Sequence, residues 1–195
     1  VSLISCFVFL VIMESSIRLV YNDILNYNTE MWRYSKELKI PTSNPKLPFV
    51  HSPNKSAFLY GTQITTDSNG FRISDSKSDR TLFGDKILFL GDSFTLGWGV
   101  DNDSTFSHLI QKWFNNKNIL VESINAGCGN YNTVMAVELF KNIRFNLNPK
   151  VVVLSYYAND IEDTPRHLSD FQYLLMSNFY LYGFLFDKYV KIKSK

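Results

Sequence analysis

An unbroken apolar run, Ile87-Leu88-Phe89-Leu90, ends at Gly91 and passes straight into Asp92-Ser93-Phe94-Thr95. Four consecutive apolar residues without polar alternation need cover on both faces, so the run reads as a strand buried in a parallel sheet. A parallel strand is followed by a crossover, usually a helix, before its neighbour begins. The chain supplies two. Phe106, Leu109, Ile110, Trp113 and Phe114 form a helical stripe, with Asp103-Ser104 as its predicted cap and residues 115–118 as its end. A second strand is predicted over 119–124. After a loop holding Gly127 and Gly129, a second helix carries Ala136, Leu139, Phe140 and Ile143, and Asn148-Pro149 stops it. The third strand, 151–157, is as apolar as one covered on both faces should be. This alternation predicts the α/β class: a three-layer α/β/α sandwich on a parallel, flavodoxin-like sheet.

Ser93 falls at the carboxyl end of the first of these strands, the edge where open α/β sheets bind ligands. In the order 2-1-3-4-5 the first strand lies between the second and the third, so the loops after all three open on one edge. Ser93, Gly127 and Asn159 then converge although they are far apart in sequence.

Gly91-Asp92-Ser93-Phe94-Thr95 resembles the first block of the SGNH (GDSL-like) hydrolases. Asn125-Ala126-Gly127 and Tyr157-Ala158-Asn159-Asp160 resemble the second and third blocks, each after a predicted strand. Asn69-Gly70-Phe71-Arg72 is similar to the segment before the first block in membrane-anchored members, so the resemblance runs from about Thr65 to Asp160. It implies that Ser93 attacks an ester carbonyl, while the amides of Ser93 and Gly127 and the Asn159 carboxamide hold the oxyanion. Ala158 stands where the family usually has glycine. Asp92 is expected to cap the following turn and not to serve as the triad acid.

The general base has no match. The family's last block is an Asp and a His separated by two residues, and no Asp-x-x-His occurs in these 195 residues. His51, His108 and His167 are the histidines present. Asp163 and His167 are one residue too far apart for the motif, and His108 reads as a surface or partly buried residue. The expectation is therefore an N-terminal portion of the domain whose base lies beyond residue 195. Cys128 reads as a small buried residue beside the site and not as a nucleophile.

Residues 1–13 are uncharged and almost wholly apolar, shorter than the ~20 residues of a spanning helix, with Glu14 and Arg18 following. They read as part of a membrane anchor or signal helix, continued to residue 40 as a helical stalk. Pro41, Pro45, Pro48 and Pro53 predict a linker, placed over 41–62, with the hydrolase-like domain over 63–195. Residues 171–190 carry aromatic and aliphatic side chains near helical spacing. A net charge of +2 without a basic stripe gives no support to nucleic-acid binding. No Walker or G-x-G-x-x-G pattern and no ligand-spaced His/Cys/carboxylate cluster is present, so neither a cofactor nor a metal is expected.

The reading is thus a membrane-anchored, extracytoplasmic serine esterase or O-acyltransferase. Its expected substrate is an acylated, preferably acetylated, small molecule or cell-surface carbohydrate. The alternatives are an inert SGNH-like domain that binds a glycan or partner, and a flavodoxin-like ligand-binding domain with a fortuitous GDS.

Overall fold

The computed structural model describes residues 2–21, 27–73, 84–157, 171, 175 and 178–193. The chain divides into two compact units, Val1–Tyr34 with Arg166–Lys195, and Ser35–Pro165. Helix Tyr180–Lys193 belongs to the first of these units, with the N-terminal helix.

In the larger unit, β5 (Asp85–Leu90) lies between β6 (Val121–Asn125) and β7 (Val151–Leu154), and both pairings are parallel. The predicted first strand is therefore central. Its side chains alternate between faces, as a strand's must. Leu88 and Leu90 pack with Ile124 and with Met135, Ala136 and Leu139 of α5 (Thr133–Leu147). Ile87 and Phe89 pack with Val121, against Ile110 and Phe114 of α4 (Phe106–Asn115). A helix thus covers each face of β5.

β7 departs from this. Val151, Val152 and Leu154 are 47%, 41% and 43% exposed, although the same run of apolar residues predicts cover on both sides. The layered arrangement holds at β5 and does not extend over β7 among the described residues.

α4 also differs from its predicted stripe. Leu109 and Trp113 are half exposed, while Ser107 and Gln111 are buried. Its N-cap is Thr105, after a short 3₁₀ turn at Asn102–Ser104, and not Asp103-Ser104. The buried face of the helix is instead the polar i, i+4 pair: Ser107 Oγ accepts from the buried Asn125 Nδ2 and Gln111 Oε1 from the Ser123 amide, bonds that those groups need once removed from water.

The proline-rich stretch is not an irregular linker. β1 (Lys39–Pro41) pairs antiparallel with β2 (Phe49–His51), and β3 (Ser56–Leu59) with β4 (Thr62–Thr65). Pro41 ends an edge strand and the other prolines lie in connections, positions that require no ladder N–H. Tyr60 and Gly61 both take positive φ at the tip of the second hairpin, as a two-residue turn of matching twist demands. Leu47, within the supposed linker, is 2% exposed in the main core.

The smaller unit holds α1 (Ser2–Tyr21) and α6 (Tyr180–Lys193); α2 (Tyr27–Leu38) follows α1 in the chain. The Glu14 carboxylate accepts the Tyr180 and Leu181 amides at 3.0 and 2.8 Å, placing negative charge at the positive end of α6. Arg18 donates to Glu14 at 2.7 Å and lies over the Tyr180 ring. Leu3, Ile4 and Phe7 to Ile12 are exposed. Among the described residues, no helix is long and apolar enough to cross a membrane.

Candidate active site

Ser93 is the first residue of α3 (Ser93–Leu96), a single turn at the carboxyl end of β5. One turn of helix has almost no stability of its own, so its shape is set by what it bonds to outside. Asp92 caps it as expected, Oδ1 accepting the Phe94 amide at 2.9 Å. The Ser93 carbonyl accepts the Gly97 and Trp98 amides at 3.0 and 2.9 Å. Gly97 closes the turn at φ +82°, a conformation favouring glycine. The turn is held at both ends, with Ser93 itself only 8% exposed.

The loop after β6 packs directly on this turn. A Cβ at Gly127 would lie 2.3 Å from the Leu96 nitrogen and 2.6 Å from the Thr95 carbonyl carbon. Only a glycine admits that approach. The Cys128 amide donates to the Gly91 carbonyl at 3.0 Å, joining the two loops. The Gly127 amide, however, donates to Asn125 Oδ1 at 3.1 Å. Its proton is already engaged, so it would have to leave Asn125, or be shared, to reach an oxyanion.

Asn125 is the centre of this junction. Fully buried, its Nδ2 donates to the Thr95 carbonyl at 2.9 Å and to Ser107 Oγ at 3.0 Å. Its backbone carbonyl accepts the Arg72 amide at 3.0 Å. Asn125 was legible only as part of a motif; its bonding shows a side chain that ties the Ser93 turn, α4 and the Gly127 loop together.

The loop after β7 also reaches the turn. The Tyr157 ring lies 4.5 Å from that of Phe94, the residue after Ser93. Asn159, two residues further on, lies outside the described residues, as do Asp163 and His167.

Among the described residues no histidine ring bonds to Ser93. His51 is buried in the hairpin region with Nδ1 3.1 Å from the Gly70 carbonyl. His108 lines a polar cleft of about 120 Å3 with Arg72, Asn102, Gln111, Ser123 and Asn125. No residue of the Ser93 turn lines that cleft. Among the described residues no cluster of His, Cys, Asp and Glu has the form of a metal site.

Cys128 is 2% exposed, as its reading as a buried neighbour requires. Close by, Lys39 Nζ donates to the Gly129 carbonyl at 2.5 Å and to Asn130 Oδ1 at 2.9 Å. Burial pushes the Lys39 ammonium down to about 8, with Cys128 acting the other way. Burial holds the Tyr131 phenol above its ordinary range, and Cys128 adds to that.

No family model matches the chain, and no curated protein does. The structures of AlinE4, an SGNH-hydrolase family esterase, and of an aspartate-to-alanine variant of it each share 22% identity at a TM-score of 0.37. The match covers 40% of this chain and 42% of theirs. A likeness that small decides neither fold nor chemistry.

Proposed function

We propose that this chain carries the nucleophile and oxyanion donors of an SGNH-type serine esterase or O-acyltransferase. The observation that carries the reading is the seating of Ser93. It opens a one-turn helix at the carboxyl end of the central parallel strand, with the Gly127 loop packed against the turn and Tyr157 against its neighbour Phe94. Acyl transfer needs a fixed hydroxyl and nearby donors for the charge that develops on the carbonyl oxygen. Ser93 is the proposed nucleophile, and its amide, the Gly127 amide and the Asn159 carboxamide are the proposed donors. The motif resemblance supports an ester-linked acyl group, with acetyl on a cell-surface carbohydrate as the proposed substrate. Membrane attachment through the apolar residues of α1, exposed in the structure, is part of the proposal, and the extracytoplasmic side rests on the motif resemblance.

The test is intact mass of the full natural protein after treatment with a fluorophosphonate, beside Ser93→Ala. One adduct, absent in the variant, is expected; no adduct, or one that persists in the variant, overturns the reading. One observation favours a second reading, an inert domain of the same shape that binds a glycan or partner. The Gly127 amide is bonded to Asn125 rather than open to a substrate oxygen.

A further inference from the structure

We propose that Arg72 is a positioning residue for Ser93, acting as the brace that fixes the far end of the nucleophile turn. The inference rests on the hydrolase reading and extends it to a residue on a different part of the chain.

Arg72 is 5% exposed, and it donates to acceptors at the end of the nucleophile turn and, through Nη2 at 3.3 Å, to the Gln63 carbonyl of β4. Nη1 donates to the Leu96 and Gly97 carbonyls at 2.7 and 2.6 Å, and Nη2 to the Val100 carbonyl at 2.6 Å. Nε donates to Asn102 Oδ1 at 2.7 Å. Leu96 and Gly97 are the end of α3, whose last carbonyls have no partner within a four-residue helix. A cation at a helix's C-terminal end is favoured, and the planar guanidinium reaches two carbonyls at once where an ammonium reaches from a single point.

The backbone of Arg72 is pinned as well. Its amide bonds the Asn125 carbonyl, and bridges join it to Thr66 on one side and Asn125 on the other. The Asp67–Gly70 turn just before it is closed by the Gly70 amide on the Asp67 carbonyl at 3.1 Å. A hairpin arm far from Ser93 in sequence therefore grips the turn from the end opposite the nucleophile. Asn125 holds the middle of the turn through Thr95, and Asp92 holds its start. With Arg72 removed, the Leu96, Gly97, Val100 and Gln63 carbonyls lose a charged donor, and the far end of the turn keeps only its own backbone bonds and the packing of the Gly127 loop. Ser93 would then sample orientations outside the narrow range an attacking hydroxyl needs.

Arg72→Lys and Arg72→Met in the full natural protein, assayed on p-nitrophenyl acetate beside wild type and Ser93→Ala, test this. Hydrogen exchange of the amides of residues 93–100 is followed in parallel. The expectation is a kcat lower by about 10²-fold in Arg72→Met, the loss that a misplacement near 1 Å brings, with KM little changed. Arg72→Lys recovers part of the rate, and exchange quickens in residues 93–100 while β5 and α5 keep their protection. A folded Arg72→Met with wild-type kcat, or exchange quickened evenly through the unit, overturns the brace. Absence of any Ser93-dependent turnover in wild type instead removes the hydrolase reading, and with it a catalytic role for Arg72.

Discussion

β5 and β7 are the same kind of sequence with opposite fates. Ile87-Leu88-Phe89-Leu90 and Val151-Val152-Val153-Leu154 are both unbroken apolar runs, and they pair with each other in parallel. Leu88 is completely buried, while Val152 directly opposite it is 41% exposed. The difference is one of neighbours. β5 has a strand on each side and a helix on each face, whereas β7 is paired on one side among the described residues. An apolar run therefore reports that a strand forms and with what kind of sheet it is compatible, but not how much of its surface leaves water.

Leu88→Ala gives the largest break in this comparison. It should cost about 3–4 kcal/mol in urea unfolding, against less than about 1 kcal/mol for Val152→Ala, because only the first leaves a closed cavity. Equal losses would show that β7 is buried in solution. Gly127→Ala comes next, at about 2–3 kcal/mol, since its Cβ meets backbone atoms at 2.3 and 2.6 Å and no rotamer relieves that. A change below 0.5 kcal/mol, on the order expected of a neutral surface substitution, would mean that the two loops are not in contact.

The smallest effect concerns the tie from β1 to the loop after β6. The folded protein releases the Lys39 proton near pH 8, while the unfolded chain holds it to its ordinary value of 10.5. Between those values the unfolded state binds more protons, so stability rises with pH, by about 1–2 kcal/mol between pH 8 and 10. Tyr131, held above its ordinary range, acts in the opposite direction above pH 10. Lys39→Met should flatten the rise between pH 8 and 10 in paired urea titrations. An unchanged slope would place the ammonium in water.

Much of the candidate site was legible. Asp92 caps the turn, Cys128 is buried, and the first strand is central, all of which follow from residue types and their order along the chain. In the sequence Arg72 is visible only as the charged end of the Asn69-Gly70-Phe71-Arg72 segment. Its described acceptors are three backbone carbonyls from the nucleophile loop, the Gln63 carbonyl and the Asn102 side chain, and carbonyls leave no mark in a sequence. The same holds for the Gly127 amide, whose engagement with Asn125 no motif records.

By itself the sequence determined the succession of strands and helices and the place of Ser93 at a strand's end, because hydrophobic period and turn chemistry are local. Tertiary structure alone decided which face α4 buries, that the prolines at 41–53 border paired strands, and how much of β7 stays exposed. Those depend on contacts between residues distant along the chain. Burial and the satisfaction of backbone polar groups are properties of the packed neighbourhood, which no single stretch of sequence contains.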